Sequence, residues 1–461
     1  MMHIVSSPPS TAVAPARRCA FAVLRRVFEQ GAYADIALQS QAAGLDRRDR
    51  ALAMRLVYGA VQRRGTLDHL IEALAERRLR RLDAAVLAAL RMALYELLYL
   101  SGSPDRAVVA DAVELVKSQP GGGHGLVNAV LRRAAREGPQ ALLGSLEDAT
   151  PEQAAIKHSH PQWIARLWWD RLGADDARAL MAYDNEPGEL ALRANTLVTD
   201  APTLVADLSA QGVASHVAPA LEEAVVLDGP LDIHGSPLWS AGAFHAQSRA
   251  AMLVARALAP RDGERVLDLC AAPGGKATHL AALMDGGGEV LAVERNRRRA
   301  GELTRTAARL RARNVRVELG DAAIPRAGSA FDRVLVDPPC SGLGTLQARA
   351  DLRWRVTPAS VAELARLQAA ILAAGAEAVR PGGVLVYSTC TISPTENEHV
   401  IANFLDSHAD FSLDDLAAEL PAFAPDAGRG VGGESSAAQT VLTLPHRDRT
   451  AGFFIARLRR S

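Results

Sequence analysis

The chain has 461 residues, 49% of them apolar, which is more than one hydrophobic core ordinarily organises and predicts roughly two to four domains. Formal charge is zero, with 52 basic and 52 acidic residues, so no overall field advertises a polyanionic partner. Four cysteines, at positions 19, 270, 340 and 390, are too few for a disulfide scaffold and lack the paired spacing of a zinc site, so a reducing cytoplasm and no metal are expected.

The opening "MMHIVSSPPSTAVAPARR" lacks the apolar centre of a signal peptide, and residues 1–15 read as a disordered tail. No uninterrupted apolar run reaches the roughly 18 residues of a bilayer span, so no membrane partner is expected. Residues 16–138 carry apolar positions at helical spacing in "ARRCAFAVLRRVFEQG", "RDRALAMRLVYGAVQRRGTLDHLIEALAE", "LDAAVLAALRMALYELLYL", "DRAVVADAVELVKS" and "LVNAVLRRAAREG". This region predicts an all-α domain, and its 20 basic against 13 acidic residues give it a positive surface within a neutral chain. Residues 139–155 read as a linker. Residues 156–242 predict a small α+β module, with strands in "ELALRANTL" and "AVVLDG" around the helix "PTLVADLSAQG"; Trp163, Trp168 and Trp169 read as packing anchors.

Residues 243–461 alternate strand and helix. "ERVLDL", "EVLAVE", "VRVEL", "RVLVD" and "GVLVYS" are nearly continuous apolar strands, as expected when helices cover both faces of a parallel sheet. Thr357 reads as the N-cap of a long helix with Pro358 at its first position, ended by "RPGG". The pattern predicts an α/β doubly wound domain whose ligands gather at the carboxyl ends of its strands.

One such end is "VLDLCAAPGGKATHL", a glycine loop between strand and helix that lets backbone amides approach a ligand. A phosphate-binding Walker loop would need glycine at Cys270 and Ser or Thr at Ala277, and the dinucleotide pattern G-x-G-x-x-G is missing. Glu294 and Asp321 follow, closing the second and third strands, where carboxylates suit a ribose diol and an adenine amine. The set fits an adenosyl cofactor such as S-adenosylmethionine. Cys270 contributes its backbone, and Lys276 stands out because the chain has only three lysines.

Asp337 and Cys340, in "DPPC", emerge where the fourth strand ends; Cys390, in "STC", emerges after the next. Ser393, Pro394 and Glu396 then read as a capping box opening a new helix, which would mount Cys390 on a strand-to-helix turn. Two strand-end thiols suit methylation at carbon 5 of a cytosine: a thiolate adds to carbon 6, carbon 5 becomes nucleophilic, and loss of its proton expels the thiolate. Asp337 is placed to hydrogen-bond the pyrimidine, and Lys276 or a helix N-terminus favours a thiolate. This chemistry does not rank the thiols, and a Cys340–Cys390 redox pair is the competing reading.

"LDLCAAPGGKATHL", "VLVDPPCSGLGTL" and "YSTCTISPTENEHVI" together resemble the RNA 5-methylcytosine methyltransferases, and "VVADAVELVK" with "GLVNAVLRR" is similar to the NusB-like RNA-binding domain fused to its small-subunit ribosomal RNA methyltransferase B branch. The resemblance implies a NusB-like helical domain ahead of a Rossmann-like methyltransferase domain. It implies Cys390 as nucleophile, Cys340 as the group that assists product release, and Asp337 and Lys276 as catalytic partners. It implies that Cys270, Ala271, Ala272, Pro273, Gly274, Gly275 and Lys276, with Glu294, Asp321 and Asp337, hold S-adenosylmethionine. It also implies 16S ribosomal RNA as substrate, and a monomer is expected. The alternatives are a transfer-RNA carbon 5 methyltransferase and a NusB-like RNA-binding factor with an idle catalytic domain. Three positions depart from the family pattern: Glu294 for aspartate, Arg349-Ala350 for Asn-Pro or His-Pro, and Ala451 for aspartate.

Overall fold

The computed structural model describes residues 13–326, 330–420, 423 and 439–461. Residues 1–12, most of the expected tail, lie outside them, and the first helix starts at Pro15. Contacts divide the chain into two units, Met1–Asn185 and Glu186–Ser461.

The first unit is helical. Its principal helices are Pro15–Gln30, Ala34–Gln41, Arg47–Gln62, Arg64–Ala75, Ala84–Tyr99, Asp105–Lys117 and His124–Glu137. Each buries an apolar stripe, with Leu24, Leu56, Leu67, Ile71 and Leu90 fully enclosed. The segment from Arg47 to Ala75, which reads as one apolar pattern, is two helices meeting at Arg63. At that break the Gly65 N–H takes a bond from outside the helix, donating to Ser159 Oγ at 2.9 Å. Gly59 is required by close approach, since a Cβ there would lie 1.8 Å from the Tyr95 ring. The stretch read as a linker contains the short helices Pro139–Gly144 and Pro151–Lys157. Trp168 is fully buried against the edge of His160, as a packing anchor should be, while Trp163 and Trp169 are half-buried.

The second unit holds two sheets. Strands β1 (Ala191–Ala194), β2 (Ser215–Val217), β3 (Ala224–Leu227) and β4 (Phe244–Ala246) form an antiparallel sheet in the order β2-β3-β1-β4. The larger sheet comprises β5 (Arg265–Leu269), β6 (Glu289–Glu294), β7 (Val315–Leu319), β8 (Phe331–Val336), β9 (Val379–Thr389), β10 (Phe411–Leu413), β11 (Val441–Leu442) and β12 (Phe454–Arg460). Its order is β10-β12-β9-β8-β5-β6-β7, with β11 also pairing β12. The five strands expected from the apolar runs are β5 to β9, and they pair in parallel. The sheet as a whole is mixed, because β12 adds antiparallel to β9 and β10 to β12. Strand order reverses between β5 and β8, which makes their carboxyl ends the topological switch point.

The crossover helix Pro358–Ala378 starts as expected, with Thr357 accepting from the Ser360 N–H. It is long and apolar enough to cross a bilayer by composition, at a mean hydropathy of 1.2, although no uninterrupted apolar run signals this. The reason is its outer face, where Ala359, Ala362, Ala369 and Ala370 stand in place of charges, while Ile371 and Leu372 pack inward against the sheet.

A buried ionic junction links the small sheet to the helix Gly275–Leu283 behind the glycine loop. Arg193 of β1 donates to Thr278 Oγ1 at 2.9 Å, and Glu223 accepts from Arg256 at 2.5 and 3.1 Å with His279 Nε2 2.8 Å away. Burial, with Arg193 near, holds the His279 imidazole down to about 4, so it is neutral beside the ionised Glu223–Arg256 pair. Between the ordinary value of 6.5 and about 4, the unfolded chain binds a proton here that the folded chain does not. This contribution to stability is complete above that window and is lost as pH falls through it. We predict that His279→Leu flattens the loss of unfolding free energy between pH 6.5 and 4 by up to about 3 kcal/mol. Urea melts across that range measure it, and an unchanged slope refutes it.

Candidate active site

Because β8 and β9 are parallel neighbours, with Val336 opposite Tyr387, the residues that follow them emerge side by side. Asp337 and Ser388 meet directly, Ser388 Oγ donating to Asp337 Oδ1 at 2.8 Å. Lys276, from the helix after β5, donates to Asp337 Oδ2 at 2.7 Å and lies 5.2 Å from the Phe453 ring centre. Burial disfavours its charge, but the Asp337 carboxylate outweighs that and raises the ammonium above its ordinary value.

The loop that carries Lys276 is shaped for close backbone approach. Cys270 adopts φ 72° and Gly274 φ 108°, left-handed conformations that side chains rarely take. A Cβ at Gly274 would sit 2.6 Å from Leu303 Cδ1, and one at Gly275 would sit 3.1 Å from His245 Nε2. No side chain caps the helix at Gly274, so its first-turn N–H groups are available at the sheet edge. Burial pushes the Cys270 thiol up to about 12, away from the thiolate.

Cys340 and Cys390 converge, their sulfurs 3.3 Å apart. The surroundings differ in sign. A hydrogen bond from the Cys340 thiol, with Lys276 and Arg349 beyond it, holds Cys390 below the ordinary thiol value against burial and Asp337. The same bond, burial, Glu396 and Asp337 hold Cys340 well above it. The contact therefore favours ionisation of Cys390 over Cys340.

Glu396 governs this convergence in a way its sequence position conceals. The capping box is not formed: Pro394–Glu396 is a single 3-10 turn, Ser393 caps nothing, and the next helix is Glu398–Ser407. Glu396 instead is fully buried and reaches back to the "DPPC" loop. It accepts from the Ser341 N–H at 2.8 Å, from Ser341 Oγ, and from Gln368 Nε2 at 3.0 Å; Gln368 also donates to Pro339 O at 2.9 Å. Ser341 Oγ lies 2.7 Å from Thr391 Oγ1, and Tyr387 donates to Glu396 O at 2.6 Å. Ser341 adjoins Cys340 and Thr391 adjoins Cys390, while Gln368 reaches both Glu396 and the carbonyl before Cys340 from the crossover helix. On the far side the Gly344 N–H donates to Cys390 O at 3.0 Å, and a Cβ at Gly344 would lie 2.0 Å from Gly452 O, so two glycines press the loops together and bring Phe453 to the site.

These groups line a cavity of about 710 Å³ at the switch point. It brings together Cys270, Ala271, Ala272, Pro273, Gly275, Lys276, Asp337, Cys340 and Cys390. Gly274 supports it from behind. Glu294 and Asp321 close β6 and lie just past β7 on the same edge but do not line the cavity; Glu294 accepts from the Asn296 N–H at 2.8 Å and Asp321 from the Ala323 N–H at 3.0 Å. The cavity adds residues that sequence reading passed over. Asp268, inside "VLDL", is fully buried with neither oxygen hydrogen-bonded, and burial, then Asp337, pushes its carboxyl well above the usual range. Gln247 contributes an amide whose oxygen and nitrogen have no partner. An acid inside an apolar strand was the visible signal for Asp268; Gln247 left none. Among the described residues no group of three His, Cys, Asp or Glu is placed to hold a metal.

A doubly wound sheet with a switch-point cavity and an open glycine loop defines a nucleotide-type cofactor-binding enzyme core. Residues 255–459 match the family described as 16S rRNA methyltransferase RsmB/F, residues 160–234 its ferredoxin-like domain, and residues 14–136 the NusB family. The chain is 36% identical to "Probable ribosomal RNA small subunit methyltransferase B" of Synechocystis, over 97% of this chain and 99% of that one. It is 36% identical to ribosomal RNA small subunit methyltransferase B of Thermus thermophilus, over 90% and 89%. The solved structure of PH0851 superposes with a TM-score of 0.78 at 26% identity, over 97% of this chain and 99% of that one. The chain belongs to the RsmB/F family of RNA methyltransferases.

A buried carboxylate that accepts three hydrogen bonds is costly to remove, because its partners are left unpaired. We predict that Glu396→Ala lowers unfolding free energy by about 3 kcal/mol in urea melts, and that Glu396→Gln, which keeps one acceptor oxygen, costs less. Equal stability of Glu396→Ala and the parent chain would contradict the network.

Proposed function

We propose that the protein methylates carbon 5 of a cytosine in 16S ribosomal RNA, with S-adenosylmethionine as methyl donor and Cys390 as nucleophile. The observation that carries this reading is the pair of sulfurs 3.3 Å apart, with opposite displacements in acidity, beside the Lys276–Asp337 pair on one cavity. Cys390 is the thiol nearer its anion and attacks carbon 6, forming a sulfur–carbon bond. Asp337, whose two oxygens are held by Lys276 and Ser388, is oriented to hydrogen-bond the cytosine edge as charge builds there. S-adenosylmethionine supplies the electrophilic methyl that carbon 5 takes up. As solvent takes the carbon 5 proton, its bonding pair re-forms the carbon 5–carbon 6 double bond, the sulfur–carbon bond breaks, and the Cys340 thiol donates a hydrogen bond to the departing Cys390 sulfur. The hydrogen bond that lowers the acidity constant of Cys390 beforehand is the one that stabilises it as a leaving group.

The residues fit the cofactor. The uncapped helix start at Gly274, the buried, unpartnered Asp268 carboxyl and the unpaired Gln247 amide supply donors and acceptors that the protein leaves unused. Glu294 and Asp321, at the next strand ends, are the candidates for the ribose and adenine. The helical first unit, with its excess of basic residues, is read as contributing to RNA binding in the cytoplasm, and the protein as a monomer.

Purified protein with labelled cofactor and 16S RNA yields 5-methylcytosine on this reading, and transfer RNA does not. Cys390→Ala loses turnover on the order of 10³-fold. Cys340→Ala accumulates an RNA–protein adduct on denaturing gels, and full turnover without adduct removes its release role. Because Cys340 holds Cys390 below the ordinary thiol value, the acidic limb of the pH–rate profile moves to higher pH in Cys340→Ala; an unmoved limb overturns that role of Cys340.

A further inference from the structure

The charges lining the cavity are accounted for with one exception. Lys276 is matched by Asp337 at 2.7 Å, Glu189 by Arg249 and by Thr450 at 2.6 Å, and Arg299 donates to Ala272 O at 2.8 Å with Glu294 3.5 Å away. Burial pushes the Asp268 carboxyl well above the usual range, away from its charged form. Arg349 is exposed, lines the same cavity, and its guanidinium has no acceptor among the described residues. Its backbone is nonetheless held: the Arg349 N–H donates to Thr345 O at 3.0 Å, and Arg349 O accepts from the Leu352 N–H at 3.0 Å. A fixed turn thus presents a free cation at the rim, on the side of Cys390, whose sulfur feels its charge. This is where the sequence departs from the family pattern.

We infer that Arg349 binds a backbone phosphate of the substrate RNA beside the nucleotide whose base enters the cavity. The inference rests on the RNA reading above. A base swung into a pocket carries its flanking phosphates to the pocket rim, and these are the anions that cannot follow it inside. Guanidinium matches phosphate with two parallel hydrogen bonds, which an ammonium does not reproduce. The contact sets register and affinity without reading a base.

The test uses the full chain, 16S RNA and a salt series, comparing the parent with Arg349→Lys, Arg349→Ala and Arg349→Glu. Arg349→Ala is expected to raise KM for RNA about tenfold, with kcat carrying little of the loss, and to reduce the slope of log KM against log salt by about one. Arg349→Lys recovers part of this, Arg349→Glu is worse than alanine, and calorimetric affinity for S-adenosylmethionine stays as in the parent. Unchanged KM and slope overturn the inference, as does a weaker cofactor affinity, which would assign Arg349 to the cofactor. A shifted acidic limb in kcat at constant KM also overturns it and assigns Arg349 to the thiolate. Parent protein that methylates no RNA defeats the underlying reading; active parent with indifferent variants defeats this inference alone.

Discussion

Two sulfurs from strands fifty residues apart in sequence stand in contact because one buried carboxylate, Glu396, ties the loops that carry them. Loops that project from a sheet edge have few neighbours of their own, so their separation must be set by something they share. Here the common element is a satisfied polar network inside the protein, where low dielectric makes each bond stronger and each missing partner costly. Apolar packing would allow the loops to slide; directional bonds to Ser341, Gln368 and Thr391 do not. The arrangement places the rigid part of the site behind the reactive atoms and leaves the sulfurs facing the cavity.

The electrostatic asymmetry follows from this geometry. Glu396 acts on Cys340, Lys276 and Arg349 act on Cys390, and Asp337 acts on both, so the bond between the sulfurs favours the thiolate on Cys390. Neither thiol needs a histidine. The glycine loop serves the same purpose from the other direction, since Lys276 reaches Asp337 only because Gly274 and Gly275 let their helix begin hard against Leu303 and His245.

What was legible in the sequence was local. Apolar runs identify β5 to β9, because a parallel sheet covered on both faces leaves no polar alternation, and the thiols and Asp337 are visible as the residues that follow those runs. The three motifs carry the family, and the comparisons bear that out. What was not legible depends on residues that meet only in the fold. Glu396 has the spacing of a helix cap, and nothing nearby says that Ser341 claims it first. Gly344 and Gly452 look like ordinary loop glycines until each is seen to need the other's missing side chain. The mixed character of the sheet comes from β12, whose antiparallel pairing is fixed by a connection its own composition does not encode. Glu294 and Asp321 fall at strand ends as read, each accepting from a backbone N–H two residues on, a local bond that strand pattern alone does not reveal.

β9, the strand that ends beside Cys390, has β8 on one side and β12 on the other, with Phe454 opposite Thr389. A chain interrupted between Cys390 and Ala451 would still contain every residue lining the cavity except Ala451 and Phe453. It would also leave β9 as a bare edge, a long apolar strand with unpaired N–H and C=O groups available to other chains. Premature termination in the last few dozen residues would therefore be felt as self-association and loss of solubility as well as lost catalysis.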